Sequence, residues 1–434
     1  MPPAAARLLL PAAGLIALAT IVTGTAIRQT IGGLGTASPP FVMVYAPDAE
    51  LWWALLAVVL AAAAAWVAPR LTRPGLVLTP AAWLGALTLL TLLPGLALGA
   101  ARNGPLGWRE IFLLTDGGSF EAKNEYLAGL PALSYGPGYF VDRFAELVPS
   151  LPVNVAGHPP ALMLVIDALG ITSAGGLAAL CIAAAVLTPA LTYGLARVLG
   201  LAEERARVAG VLAALSPMLL LLGVTSADAI FMAVGAVAAC LLVAQRPALR
   251  AAGCVALAVA AFFSWALLAI GAWAAVVVLV REGPQRALVL AAGCGAAVLA
   301  FDGGLALAAG YDPIGALRAT EAYYRNSVAS RRPYAFWVLG SPVAFAVMLG
   351  LPTAGAVLVA AERRVPAAVG LAVVIGVASV AGFTKAETER IWLPFVPLAC
   401  VAAAAVLGPL RLRLVAAFLA AQAVVVVLLF QTIW

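Results

Sequence analysis

The chain has 434 residues, 64% of them hydrophobic and 10% charged, and its mean hydropathy is +1.07. Soluble domains run nearer roughly half apolar and a quarter charged, so lipid must be the solvent for most of this surface. The net charge of +6 does not point to nucleic acid. The arginines fall singly or in pairs at the ends of apolar runs, with no basic stripe and no interleaved aromatic ladder.

In chain order, apolar runs of about 17–25 residues are long enough to span a bilayer as helices. They fall near 8–27, 51–68, 77–100, 174–198, 206–223, 226–244, 250–265, 267–281, 287–309, 337–360, 365–382, 391–409 and 413–432. The expected fold is therefore all-α and polytopic, a single transmembrane domain over 1–434 with about thirteen spans. The first run lacks a small-residue cleavage site and is expected to be a retained span. Residues 1–100 hold three spans, 101–173 form a long outer loop, and 174–434 hold the remaining spans with outer loops at 310–336 and 383–390. The 101–173 segment is rich in aromatic residues and prolines, which predicts short amphipathic surface helices, with 160–172 as one of them.

Charge sets the orientation. One set of loops holds Arg7, Arg70, Arg73, Arg197, Arg205, Arg207, Arg246, Arg250, Arg281, Arg286, Arg363, Arg364, Arg411 and Arg413, against Glu203, Glu204, Glu282 and Glu362. The other set holds the remaining basic residues, both lysines included, and the remaining acids. The N-terminus is therefore expected to be cytoplasmic and the functional surface to face outward from the cytoplasmic membrane. All five cysteines lie in apolar stretches and read as core residues.

Polar residues that could carry chemistry cluster in the outer loops. Lys123-Asn124-Glu125-Tyr126-Leu127 is followed by Tyr135 to Phe140, and then by Gly157-His158-Pro159-Pro160. A carboxylate in a partly apolar cleft can act as a general base, which makes Glu125 the candidate. Asp116, Glu121 and Asp142 are rivals, and a solvated loop acid is the bland alternative. His158 is the only histidine, so no multi-histidine metal site can form; it could instead simply sit at a helix entry before two prolines.

Thr225-Ser226-Ala227-Asp228 reads as a tight outer turn whose polar residues serve equally as helix caps. Lys385 and Arg390 could bind a phosphate, or pair with Glu387 and Glu389 as a salt-bridged cap. Arg325, Arg331 and Arg332, near Tyr323, Tyr324 and Tyr334, could meet lipid headgroups. No Gly-rich phosphate loop, zinc spacing or nucleophile elbow occurs. No acid or base falls clearly at mid-depth of a span, which counts against an ion-coupled transporter.

An acid followed by Tyr-Leu, a loop with an amphipathic helix and then a His-Pro-Pro helix start resembles the GT-C class of membrane glycosyltransferases. Within that class the pattern is most similar to the protein O-mannosyltransferase and aminoarabinose-transferase branch. The resemblance spans roughly residues 101–400. Asn124 stands where the family has the first acid of a pair, and the acidic loop follows the third span where the family has it after the first.

The resemblance implies transfer of a sugar from a polyprenyl-phosphate donor to a glycan, lipid or protein acceptor of the cell envelope. Glu125 would be the base, with Asn124 and Asp116 beside it as the other catalytic candidates. His158, Asp228, Tyr126, Lys385, Glu389 and Arg390 would bind substrate. No cofactor is implied; a divalent metal is compatible but not required if cationic side chains neutralise the phosphate. A flippase or exporter of lipid-linked saccharides is the alternative, and it requires a continuous polar path through the bundle. A non-catalytic scaffold would leave the outer carboxylates scattered.

Overall fold

A computed structural model of the chain describes residues 4–30, 33–73, 75–76 and 78–432. It is nearly all-α. The N-terminal part comprises α1 (Ala4–Thr30), the short strand β1 (Met43–Tyr45), α2 (Leu51–Leu71) and α3 (Pro80–Gly99). A cap follows, made of 3₁₀ turns and four short helices: α4 (Pro137–Asp142), α5 (Phe144–Leu147), α6 (Val153–Ala156) and α7 (Ala161–Ala168). Next come α8 (Ala174–Val198), α9 (Glu203–Ala214), α10 (Asp228–Leu242), α11 (Pro247–Phe263), α12 (Leu268–Glu282), α13 (Pro284–Ala309) and α14 (Pro313–Asn326). The chain closes with α15 (Tyr334–Leu349), α16 (Leu351–Glu362), α17 (Pro366–Ala381), α18 (Thr388–Ile391), α19 (Val396–Ala404), α20 (Leu412–Leu429) and strand β2 (Phe430–Thr432).

Seven of the described helices are long and apolar enough to cross a membrane. Large apolar side chains such as Leu288, Leu299 and Leu307 of α13 stand exposed on them. Only lipid makes such a surface stable, and in lipid every backbone polar group must be paired within the segment, which is why helices dominate. The protein is a multi-pass membrane protein.

The centre is built from α8, α9, α10 and α19, which pack on one another. Every residue of α19 is buried, as is α9 from Val208 to Ala214. Their small side chains allow close backbone approach, the usual device where no hydrophobic driving force separates helix from lipid. At Gly210 of α9, for example, an added Cβ would stand 3.2 Å from the Pro189 carbonyl oxygen of α8. On one side α2 packs against α3 and α20; on the other, α11, α12, α13 and α17 pack together, and α1 lies outside against α15 and α16.

Several expected spans are interrupted. The run 337–360 is two helices bent by 115°. Gly350 sits at φ 108, which L side chains disfavour, and Pro352 opens the next helix. The run 206–223 leaves the α conformation after Ala214 and finishes as a buried π turn, Leu219–Gly223. The run 413–432 ends as a helix at Leu429, and its last residues form β2, which pairs antiparallel with β1. The 160–172 expectation becomes α7, with Leu162, Met163 and Ile166 buried and Asp167 exposed.

The loops read as outer from their charge meet one another. Thr320 of α14 donates to the Ala156 carbonyl at 2.9 Å, Trp337 Nε1 to the Leu34 carbonyl at 3.1 Å, and Glu50 N–H to the Ala101 carbonyl at 2.9 Å. The arginine-rich loops meet likewise, Arg205 donating to the Ala405 carbonyl and Arg250 to Glu282.

Candidate active site

Glu125 lies between two 3₁₀ turns, Ala122–Asn124 and Tyr126–Leu133, in an extended conformation that reverses the side-chain direction. Its carboxylate therefore turns inward and is 2% exposed, while Asn124 stays near the surface. Asn154 of α6 donates its amide to Glu125 Oε1 at 2.6 Å. The Asn154 carbonyl is 2.7 Å from His158 Nδ1, which is also 3.2 Å from the Tyr126 hydroxyl.

A carbonyl only accepts, so His158 Nδ1 carries the proton and Nε2 is the lone-pair nitrogen of the neutral ring. The ring rests on Phe231 at 4.8 Å between centroids. Burial holds the His158 pKa below its ordinary value despite the opposing charge of Asp228. The same burial, reinforced by Asp228 and Glu125, pushes the Tyr126 hydroxyl well up, so it stays protonated, and toward His158 Nδ1–H its oxygen can only accept.

Asp228 opens α10, where the helix dipole favours a carboxylate. Ser226 Oγ donates to its Oδ2 at 2.7 Å, and so does Arg390 Nη1, also at 2.7 Å. Arg390 Nη2 reaches Glu387 Oε2 at 3.0 Å, and Arg332 Nη2 reaches the other Glu387 oxygen at 2.5 Å. The result is an alternating chain of charges, Asp228–Arg390–Glu387–Arg332, folded into the interior.

Burial alone would raise Glu387 and lower Arg390, but the paired charges outweigh it. Arg332 and Arg390 hold the Glu387 carboxyl below its usual range, and Asp228, Glu387 and Glu125 raise Arg390. Glu125 is thus near enough to act on Arg390, which places the 125, 154–158, 228 and 387–390 segments in one cluster. Two consecutive non-glycine residues, Ala386 (φ 65) and Glu387 (φ 59), are left-handed. Such strain persists only where surroundings impose it, and it gathers at functional sites. Here Arg332 fixes both ends of the turn, by the Lys385 carbonyl at 2.7 Å and by Glu387.

Glu389 faces the other way. Its Oε1 accepts the Val42 N–H at 2.5 Å, and burial pushes its pKa up to about 7. A cavity of ≈ 10 Å³ lies beside it, lined by Glu387, Arg390, Met43 and Thr432 among others, with room for about one water. A second cavity of ≈ 50 Å³ lies across Thr432, with Arg102, Asn103, Glu110 and Thr225 in its walls.

Of the residues singled out in the sequence, Glu125, Tyr126, His158, Asp228, Glu389 and Arg390 converge. Asp116 does not: it is an exposed turn residue. Asn124 donates to Glu121 and not to the cluster. Lys385 is at the rim, half-buried, and among the described residues forms no ion pair. Arg390 is engaged by two carboxylates, so a phosphate would have to displace one of them. The cap pairing of Glu387 with Arg390 is present, whereas Glu389 pairs with backbone. Arg332 does not face lipid headgroups; it is 6% exposed and ion-paired with Glu387, whereas Arg331 and Arg325, the latter paired with Glu321, are exposed.

The sequence reading missed Asn154, whose signal was a lone amide in the apolar stretch Pro152 to Ala156. It also missed the Val42 amide, which carries no sequence signal. Among the described residues no three His, Cys, Asp or Glu side chains gather as a metal site. No family model, curated protein or solved structure matches the chain.

Proposed function

We propose that the protein is a GT-C-like membrane glycosyltransferase. It would use a polyprenyl-phosphate sugar and transfer the sugar to a cell-envelope acceptor by an inverting displacement. In this reading the helices make about thirteen crossings, with the N-terminus cytoplasmic and the cluster at the outer face. Glu125 takes the acceptor hydroxyl proton as it attacks the anomeric carbon. Lys385, with Arg390 once released from a carboxylate, stabilises the charge developing on the departing phosphate. His158, through its Nε2 lone pair, together with Asp228 and Tyr126, orients sugar and acceptor.

One observation carries this reading. Among the described residues the fully buried charged side chains are Glu125, Asp228, Arg332, Glu389 and Arg390, and all belong to this one cluster. Buried charge is costly, and its concentration with perturbed acids and bases marks functional sites. A scaffold has no need of convergent carboxylates, and a flippase would spread polar groups along a path through the bundle.

The test uses the purified protein in lipid nanodiscs with a panel of polyprenyl-monophosphate sugars and membrane-extracted acceptors. Acceptor-dependent release of polyprenyl phosphate that is lost in Glu125→Gln supports the reading. Unchanged release in that variant removes Glu125 as base. No release, with lipid-linked sugar moving between leaflets in liposomes, points to the flippase.

A further inference from the structure

Away from this cluster, the packed pair α2 and α20 leaves a lateral groove of ≈ 630 Å³ between them. Its floor is made of alanines, Ala61 and Ala65 on α2 facing Ala417 and Ala421 on α20, so the groove exists because the side chains there are short. It runs from Val58 to Arg70 on one wall and from Val425 to Arg413 on the other. At 1.5 Å per residue each wall is about 18 Å long. One leaflet's hydrocarbon depth is about 15 Å, half of the bilayer core. The groove therefore matches a single leaflet in length.

Both arginines stand at the same end. The Arg70 guanidinium stacks 3.2 Å above the Trp66 ring centroid, and Arg73 and Arg413 act on it as like charges. Among the described residues neither Arg70 nor Arg413 pairs with a carboxylate, although Arg207, Arg250 and Arg286 elsewhere in the arginine-rich loops do. Arg413 is also the second residue of α20, where the helix dipole disfavours a cation. A comparable groove of ≈ 580 Å³ between α1 and α16 ends instead at Glu362. Of these two grooves, the α2–α20 one has arginines among its described lining residues and the other does not.

We propose that the α2–α20 groove is a binding site for an anionic phospholipid. Its phosphate lies between Arg70 and Arg413, and an acyl chain lies along the alanine floor. Size and apolarity select a lipid tail, and the positive mouth, where Arg70 donates to the Trp66 carbonyl but no carboxylate neutralises either arginine among the described residues, selects a negative headgroup. The site is independent of the proposed transfer reaction, since it involves none of the residues of the buried cluster.

The test is native mass spectrometry of protein released from membranes holding anionic and zwitterionic phospholipids of the same chains. Wild type should retain the anionic lipid preferentially. At about 1 kcal/mol per basic residue, Arg70→Gln with Arg413→Gln should lower that preference about 30-fold. Arg413→Gln alone, at an exposed position, should lower it about fivefold, and carries the test if the double variant does not fold. Ala421→Trp, which fills the groove, should lose the lipid while keeping the arginines. Equal retention of both lipids by wild type, or an undiminished preference in folded charge variants, overturns the proposal. Inorganic phosphate binding that survives in Ala421→Trp, with no lipid preference in wild type, would mean an ion site and overturn it too.

Discussion

Replacing Glu389 by Gln should make the protein more stable, but only on the alkaline side. Glu389 is 4% exposed; Oε1 holds the Val42 N–H, and Oε2 has no hydrogen-bond partner among the described residues. Burial raises its pKa from 4.5 to about 7, against the Val42 amide, which favours the charged form. The folded state therefore holds the proton more tightly than the unfolded state. Its contribution to stability is fully present below about pH 4.5 and is lost as pH rises through about 7.

The interval, at 1.36 kcal/mol per pH unit, amounts to about 3 kcal/mol. Gln keeps an acceptor for Val42 and has no proton to lose. Glu389→Gln should therefore match wild type near about pH 4–5 and exceed it by up to about 3 kcal/mol at about pH 8, a few degrees in melting temperature. Thermal melts in detergent, followed by tryptophan fluorescence across pH, read this directly. A melting difference that does not change with pH would refute the reasoning, as would a variant less stable than wild type at alkaline pH.

Arg390→Gln should cost about 3–5 kcal/mol, because it leaves Asp228 without its counter-charge in the interior and Glu387 with Arg332 alone. Adding Asp228→Asn should recover part of the loss, and strict additivity in the double-mutant cycle would show that the pair is not coupled. Glu125→Gln should lower transferase turnover by about 10²–10⁴-fold, as for a lost general base. Asp116→Asn, in an exposed turn outside the cluster, should leave turnover unchanged, and an equal loss in both would shift the base assignment. Gly350→Ala should destabilise by about 2–4 kcal/mol, since it strains φ 108 and brings a Cβ 2.1 Å from Leu419 Cδ2. A melting temperature equal to wild type would mean that the α15–α16 bend is not fixed by this contact.

Composition and periodicity determined the class of molecule, because the choice of lipid as solvent depends only on summed apolarity and the length of each apolar run. The same local quantities located most helices to within a few residues, and charge asymmetry sorted their loops into two sets. Summed apolarity passes over interruptions within a run. Gly350 with Pro352, and Pro217 just after Ala214, mark two of the breaks locally, whereas the passage of residues 430–432 into β2 depends on pairing with β1, distant in sequence. The candidate site was half legible for the same reason. Glu125, His158, Asp228 and Arg390 stand out as polar residues in apolar surroundings, which is a local property. That Arg390 pairs with Asp228, 162 positions away, and Glu389 with the Val42 amide, 347 away, was decided by tertiary structure alone. Only there does burial remove water, so that each charge must find its partner within the protein and the acids and bases acquire distinct protonation behaviour.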